Sequence, residues 1–330
     1  METSKLAAME AGRWPAGNVD GVATTTMLAA AGITGKALTA ALEVRLVMRL
    51  HKGAYVQSAV WKVLKPWERE SAVLTAHVLA SHSQGVYSHS SAARLLGLAT
   101  WACGSTIHLT HGFAPGVSGR GRHVKVHQQS YTADQVTMVR RGPLRVPVTS
   151  LAQTVLDCGR LFTLEQSVVV GDSALRKGVD PEVLRGQLEC SGIKRGTARA
   201  RTMLEHLDPR SESAGESRTR VFLVASRLPM PEPQVEIQTR HGLHRVDFAW
   251  REFRLVLEFD GWGKYFNYRP TAEAVAQERQ REKDLMELGW RFIRIGWQDL
   301  NEPVALEARI RGALAAAGAR LPMRRTAVFA

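Results

Sequence analysis

Val246-Asp247-Phe248 and, shortly after, Leu257-Glu258-Phe259-Asp260-Gly261 are the stretches whose reading decides the fold of the C-terminal third. Both alternate like strands, and side chains along a strand point to opposite faces in turn. With Arg251-Glu252 as a two-residue hairpin turn, Trp250 pairs with Phe253 and Asp247 with Val256. Val246, Phe248, Trp250, Phe253, Leu255 and Leu257 then form a wholly apolar face. Asp247, Glu258 and Asp260 gather on the other, with Asp247 diagonal to Glu258. Carboxylates held together need a counter-cation, and hard oxygen donors at this spacing suit Mg²⁺ or Mn²⁺. The milder alternative pairs Glu258 with Arg245 across the strands and lets Asp260 cap the Gly261 turn.

Elements around this hairpin follow in order. Asp208-Pro209-Arg210-Ser211 breaks a helical pattern and marks a boundary. Ser213 and Glu216 have the spacing of a capping box and open a helix reaching about Ser226. A strand at Val235 to Gln238 precedes the acidic hairpin. A long helix from Thr271 to Leu288, a strand from Trp290 to Ile295 and a helix from Pro303 to Ala317 complete an α-β-β-β-α-β order with a closing helix.

The opening region reads helix, turn, helix, hairpin. A threonine among Thr24, Thr25 and Thr26 caps the first helix, which stops at Gly32; Thr34 caps the second, with Leu38, Ala41 and Leu42 as its buried stripe. Strands at Arg45 to Leu50 and Ala54 to Val56 flank His51-Lys52-Gly53. This is the order of a winged helix-turn-helix, which makes Lys36, Thr39, Arg45, Arg49, His51 and Lys52 candidate DNA contacts. Between the two regions, Tyr87 to Ala93 reads as a strand entering a capped helix. Thr106 to Thr110 and His123 to His127 alternate as strands, and Val148-Thr149-Ser150 leads into a helix. Histidines recur at positions 77, 82, 89, 108, 111, 123 and 127. Without a cysteine cluster or a helical H-x-x-x-H pair they are assigned no metal site. The expected division is 1–66, a winged helix; 67–207, a mixed α/β middle region; and 208–330, the acidic domain.

Composition points to the same partner. The chain has 330 residues, 44 basic and 31 acidic, for a net charge of +13, and such a field attracts polyanions. Cys103, Cys158 and Cys190 are odd in number and widely spaced, which argues against a disulfide framework or zinc ribbon and for the cytoplasm. Neither a signal core nor a membrane-length apolar run is expected.

From Ser211 to Leu300 the chain resembles the very-short-patch-repair-like branch of the PD-(D/E)XK nuclease superfamily. The resemblance rests on Glu216, the strands around Asp247 and Glu258, the basic helix, and the run from Gly289-Trp290-Arg291 to Trp297. The front half resembles AbiEi-type antitoxins of type IV toxin–antitoxin systems, through the winged-helix pattern, Lys52-Gly53-Ala54-Tyr55, Ser90-Ser91-Ala92-Ala93 and Val148-Thr149-Ser150. The first resemblance implies a restriction-endonuclease-like fold in which Asp247 and Glu258 hold Mg²⁺ or Mn²⁺ and Glu216 is an extra metal ligand or orients a metal-bound water. The superfamily's lysine position, two residues after the second acid, holds Asp260 here. Lys264, Arg281 or Lys283 would then supply positive charge at the phosphate, and Arg281 and Lys283 are also candidate DNA contacts. The leading expectation is a Mg²⁺-dependent DNA endonuclease. The alternative is a non-catalytic antitoxin or transcriptional repressor with a degenerate nuclease domain and a toxin or regulatory partner. A protein-interaction module with a basic surface is a third reading.

Overall fold

Thr24 accepts a hydrogen bond from the Met27 N–H at 3.2 Å, turning the chain from strand β1 (Val22–Thr24) into helix α1 (Thr25–Ala30). The computed structural model that shows this describes residues 14–15, 17–33, 35–81, 85–112, 123–261 and 272–321. Gly32, at φ +77°, ends the first helical segment as expected. Helix α2 (Gly35–Glu43) and the hairpin β2 (Val47–His51) and β3 (Ala54–Gln57) follow, and the cap expected at Thr34 lies outside the described residues. Leu28, Ile33, Leu38, Ala41, Val47 and Tyr55 form the core, with Leu42 at its margin. The additional element is β1 itself, which pairs antiparallel with β3 to make a three-stranded sheet in the order β1-β3-β2. Its three residues are too few for alternation to reveal in sequence.

Helices α3 (Ser58–Val63) and α4 (Pro66–Ala80) lead to a second, mixed sheet. Its strands are β4 (Val86–Tyr87), β5 (Ile107–His111), β6 (Val124–Gln128), β7 (Val136–Arg141) and β8 (Leu144–Thr149), in the order β6-β5-β4-β8-β7. Ser88 begins α5 (His89–Leu95), and Ser150 caps α6 (Leu151–Leu161) by accepting from the Gln153 N–H. The chain enters a helix at both places as expected, but the Ser88 side chain makes no capping hydrogen bond. Helices α7 (Leu164–Arg176), α8 (Pro181–Cys190) and α9 (Thr197–Glu205) follow.

The chain is a mixed α/β protein that divides into two units, Met1–Phe162 with Glu182–Ala200 and Thr163–Pro181 with Arg201–Ala330. The expected first and middle regions therefore lie mostly in one unit. The last unit gains α7 in addition to the chain after 208, because α7 is tied to α10 (Ala214–Ala225) by a buried carboxylate. Asp172 accepts from Arg220 and Ser217 at 2.7 Å each and from the Asp208 N–H at 2.8 Å. Removing a buried anion from such a set would leave Arg220 uncompensated.

The second unit carries a four-stranded sheet, β12-β11-β10-β9. Its strands are β9 (Glu232–Thr239), β10 (Gly242–Trp250), β11 (Leu255–Phe259) and β12 (Arg291–Ile295). Helix α11 (Ala272–Glu287) joins β11 to β12 and makes that pair parallel, and α12 (Pro303–Ala316) closes the unit. Phe248, Trp250, Leu255, Leu257 and Phe259 pack with Phe222 and Leu223 of α10 and Leu306, Ile310 and Leu314 of α12. Ala249 and Val256, on the opposite face, pack with Leu285 of α11. Both faces of the sheet are thus covered, so the acids share theirs with apolar residues. Val246 joins this second cluster instead of the expected Phe248 face. The ladder skips Asp247, and Gln234, across from it, adopts φ +53°, a local kink that breaks simple alternation.

In the first unit, His77 of α4 is buried with its Nδ1 2.9 Å from the Tyr87 hydroxyl. Burial, reinforced by His51, lowers its pKa to about 4. A neutral buried histidine must gain a proton on unfolding in acid, so stability should fall as pH drops from about 6.5 towards 4. His77→Gln should flatten this loss by at most about 1.4 kcal/mol per pH unit, read from urea unfolding at several pH values. An unchanged slope would mean that His77 does not carry the effect.

Candidate functional site

Phe248 pairs with Leu257, Ala249 with Val256 and Trp250 with Leu255. The turn is therefore the four residues Arg251–Arg254, closed by Phe253 N–H to Trp250 O at 3.1 Å and Arg254 N–H to Arg251 O at 3.2 Å, instead of Arg251-Glu252 alone. The register shifts by two residues from the expected one. An even shift leaves every side chain on its face, so Asp247 and Glu258 remain together. Continuing the ladder sets them directly opposite one another instead of diagonal.

Asp247 uses Oδ2 to accept the Phe259 N–H at 2.8 Å. Glu258 is only 3% exposed, and its register partner on β12 is Arg294. Arg281 of α11 donates to Glu258 Oε1 and also to the Arg245 carbonyl at 2.9 Å and Glu278 at 3.0 Å. Arg294 lies 3.7 Å from both Glu258 Oε2 and Asp260 Oδ2, and 3.3 Å from Glu278 and Glu282. Asp260 is anchored through its backbone, its N–H donating to Ile295 O at 2.8 Å. Arg245, which the milder alternative pairs with Glu258, instead pairs with Glu212 at 2.8 Å. Burial disfavours the Arg281 charge, but Glu258 and Glu278 outweigh it and raise its pKa.

Two properties of this cluster bear on chemistry. Among the described residues, Asp247, Glu258, Asp260, Glu278 and Glu282 outnumber the guanidiniums of Arg281 and Arg294. Glu258 Oε2 is also buried with no hydrogen-bond partner among the described residues, since Arg294 at 3.7 Å is beyond hydrogen-bond reach. An unsatisfied carboxylate oxygen in an acid-rich cluster is the kind of group a hard divalent cation satisfies.

The other expected residues are placed less centrally. Glu216 lies in the first turn of α10, which approaches β11 so closely that a Cβ on Gly215 would overlap the Phe259 ring. Its N–H donates to Ser213 Oγ at 3.1 Å, while Oε2 accepts from the Glu212 N–H at 2.8 Å and from Gln234 at 2.9 Å. This is the expected cap, with the return bond made one residue earlier. Lys264 lies outside the described residues. Lys36, Thr39, Arg45, Arg49 and Lys52 are all exposed, as is Lys283, and His51 is partly so. Lys36 and Thr39 are three apart on α2 and share a face. The Arg49 guanidinium lies 5.7 Å from the Tyr55 ring centroid. Arg281, also expected at DNA, is instead turned into the acid cluster.

Two histidine groups escaped the sequence reading. His241 and His244 flank the buried Asp284 carboxylate at 2.7 and 3.3 Å. Burial alone would raise the Asp284 pKa, but hydrogen bonds from His241, Gln280 and His244 hold it at about 2. His89, His108 and His127 also meet, although they come from three separate elements. The available signal was the even spacing of His108 and Thr110 on β5, opposite which β6 carries His127.

No protein-family pattern matches the chain. Two uncharacterized proteins of Mycobacterium tuberculosis, MT2308 of strain CDC 1551 / Oshkosh and Rv2248 of strain ATCC 25618 / H37Rv, are each 32% identical over 166 residues. The match takes in 49% of this chain and 59% of theirs, so the chain spans less than two thirds of the length of those relatives. The crystal structure of the RV2827C protein from the same organism is similar at a TM-score of 0.37 and 15% identity, covering 71% of this chain and 87% of that one.

If Arg281 compensates Glu258, the two should be energetically coupled. Glu258→Gln should destabilise the chain by about 2 kcal/mol, and Arg281→Met should cost less in that background than in the parent. A coupling of about 1–3 kcal/mol from urea unfolding in metal-free buffer is expected, and strict additivity would contradict the pairing.

Proposed function

We propose that this chain is a metal-dependent DNA endonuclease, with a nuclease-like domain of the very-short-patch-repair type and an AbiEi-like winged helix that carries it to DNA. The observation behind the catalytic part is the buried Glu258 Oε2, which has no hydrogen-bond donor among the described residues, on the face shared with Asp247. The carboxylate set fits Mg²⁺ or Mn²⁺, with Asp247 and Glu258 as the holding residues. When bound, the ion supplies Lewis-acid activation of water and offsets charge at the scissile phosphate. Arg281 and Arg294 provide positive charge beside these acids, the task the superfamily gives to the lysine replaced here by Asp260. Lys36, Thr39, Arg45, Arg49 and Lys52 would contact phosphate and groove, with Lys283 adding basic surface on α11. The free thiols of Cys103, Cys158 and Cys190 are in keeping with a cytoplasmic role. Among the described residues no helix is long and apolar enough to cross a membrane.

One observation favours a second reading. Arg281 and Arg294 already neutralise much of the Glu258 charge, as they would in a non-catalytic antitoxin-like repressor whose nuclease site has become a structural ion-pair network. A toxin or regulatory partner would belong to that reading.

Incubation of the full chain with supercoiled DNA in Mg²⁺ or Mn²⁺ separates the two. Cleavage is expected, reduced about a hundredfold or more by Asp247→Ala or Glu258→Ala. Cleavage that survives both changes would remove the site, and DNA binding without cleavage would select the repressor. Binding itself should weaken with salt, and Arg49→Ala or Lys52→Ala should each reduce the log–log salt slope by about one. A flat salt dependence would exclude phosphate contact by this surface.

A further inference from the structure

His89, His108 and His127 enter the first unit from the start of α5, from β5 and from β6. Each offers a ring nitrogen, and these atoms lie within 4.8 Å of one another. His108 Nδ1 is 2.8 Å from His127 Nε2. The His89 and His127 rings stack with centroids 4.0 Å apart, and Phe162 closes edge-on against His89 and His108. We propose that these three histidines form a binding site for a borderline divalent cation of the Zn²⁺ class, chemically distinct from the acid cluster.

Four observations support the assignment. The donors are nitrogens only, which imidazole-binding metals prefer and Mg²⁺ does not. The histidines enter from separate elements held by a hydrogen-bonded sheet, so the scaffold fixes their approach. Burial lowers the pKa of His108 to about 3 and that of His127 to about 4 and keeps His89 well below its ordinary value, with neighbouring histidines adding to the effect at His89 and His108, and Lys125 and Arg195 at His127. A lowered pKa favours the neutral imidazole that coordinates metal, and the proton shared between His108 Nδ1 and His127 Nε2 must move to the other nitrogen of its ring before both bind the ion. Finally, His89 has a supporting partner: its Nδ1 lies 2.9 Å from Ser88 Oγ. With Nδ1–H donating to that hydroxyl, the Nε2 lone pair is left for the ion, as metal-ligating histidines usually require. Ser88 in turn accepts from Thr110 at 2.8 Å, and Thr110 lies next to Tyr131, whose hydroxyl donates to the buried Asp157 at 2.8 Å.

Tetrahedral coordination with bonds of about 2.0–2.1 Å sets donor nitrogens about 3.3 Å apart. The His108–His127 contact must therefore open by roughly half an ångström while the wider edges contract. Three imidazoles leave a fourth position. Lys125 and Arg160 face His89, Lys125 and Arg94 face His108, and Lys125 and Arg195 face His127. These charges oppose a cation, so the fourth position should take an anionic ligand that offsets them.

The test uses the full chain stripped with chelator and titrated with Co²⁺, followed by visible absorption and by competition with Zn²⁺. Stoichiometric Co²⁺ with the bands of a four-coordinate nitrogen site is expected, together with a rise in melting temperature on adding Zn²⁺. His127→Ala and His108→Ala should weaken Co²⁺ at least about tenfold and abolish the Zn²⁺-dependent rise, and Ser88→Ala should weaken it about 10–100-fold. Asp247→Ala and Glu258→Ala should leave the bands unchanged. Should His108→Ala fail to fold, His127→Gln at the less buried position gives the same readout. Absence of bands in the parent chain, their survival in the His127 variants, or their loss in the acid variants would overturn the assignment.

Discussion

A carboxylate in the middle of a sheet covered on both faces constrains everything around it. Ionised, Glu258 would be costly to bury alone, and the second unit meets that cost from two directions. The parallel crossover from β11 to β12 sets Arg294 opposite it in register. The helix making that crossover presents Glu278, Arg281, Glu282 and Leu285, spaced as one helical face, so the strip that neutralises Glu258 passes into the strip that covers Val256. The covering of the sheet and the compensation of its charge are one arrangement, and shifting β12 by a residue would disrupt both.

Much of this was legible in the sequence, for definite reasons. The order of elements followed from periodicity and from local side-chain chemistry, with a cap among Thr24, Thr25 and Thr26, a helix entered from Val148-Thr149-Ser150 and a cap at Ser213. The shared face of Asp247 and Glu258 survived an incorrect turn because parity tolerates an even shift. What local reasoning could not supply was the covering of the acid face by α11, because helix phase against a sheet is tertiary information. Nor could it show the exchange of Arg245 for Arg281 as the partner of Glu258, since only the fold brings α11 over β11. The kink at Gln234 is a left-handed non-glycine residue, and although Pro233 precedes it, a proline restricts the residue before it and does not specify this conformation in the residue after it. The histidine triad was hidden for the same reason, with its members on three elements separated by long stretches of chain.

The overall charge of +13 conceals a strong local contrast. Basic side chains on α2 and at the β2–β3 hairpin are exposed, where a polyanion can reach them, while Arg218, Arg220, Arg281 and Arg294 are wholly or partly buried against carboxylates or carbonyls. The count of 44 basic residues therefore overstates the cation surface open to a partner. The exposed subset, not the total, decides how steeply binding responds to salt.

The two candidate cation sites make opposite chemical demands. The acid cluster offers hard oxygens and an excess of negative charge, which favours small, strongly hydrated ions and needs no particular geometry to attract them. The histidine cluster is uncharged and sits among positive side chains, so Coulomb attraction contributes nothing and binding must come from directional nitrogen bonds. An ion that prefers one site should be a poor ligand for the other. Metal identity thus becomes a physical criterion for telling whether any metal effect on this chain arises at Asp247 and Glu258 or at His89, His108 and His127.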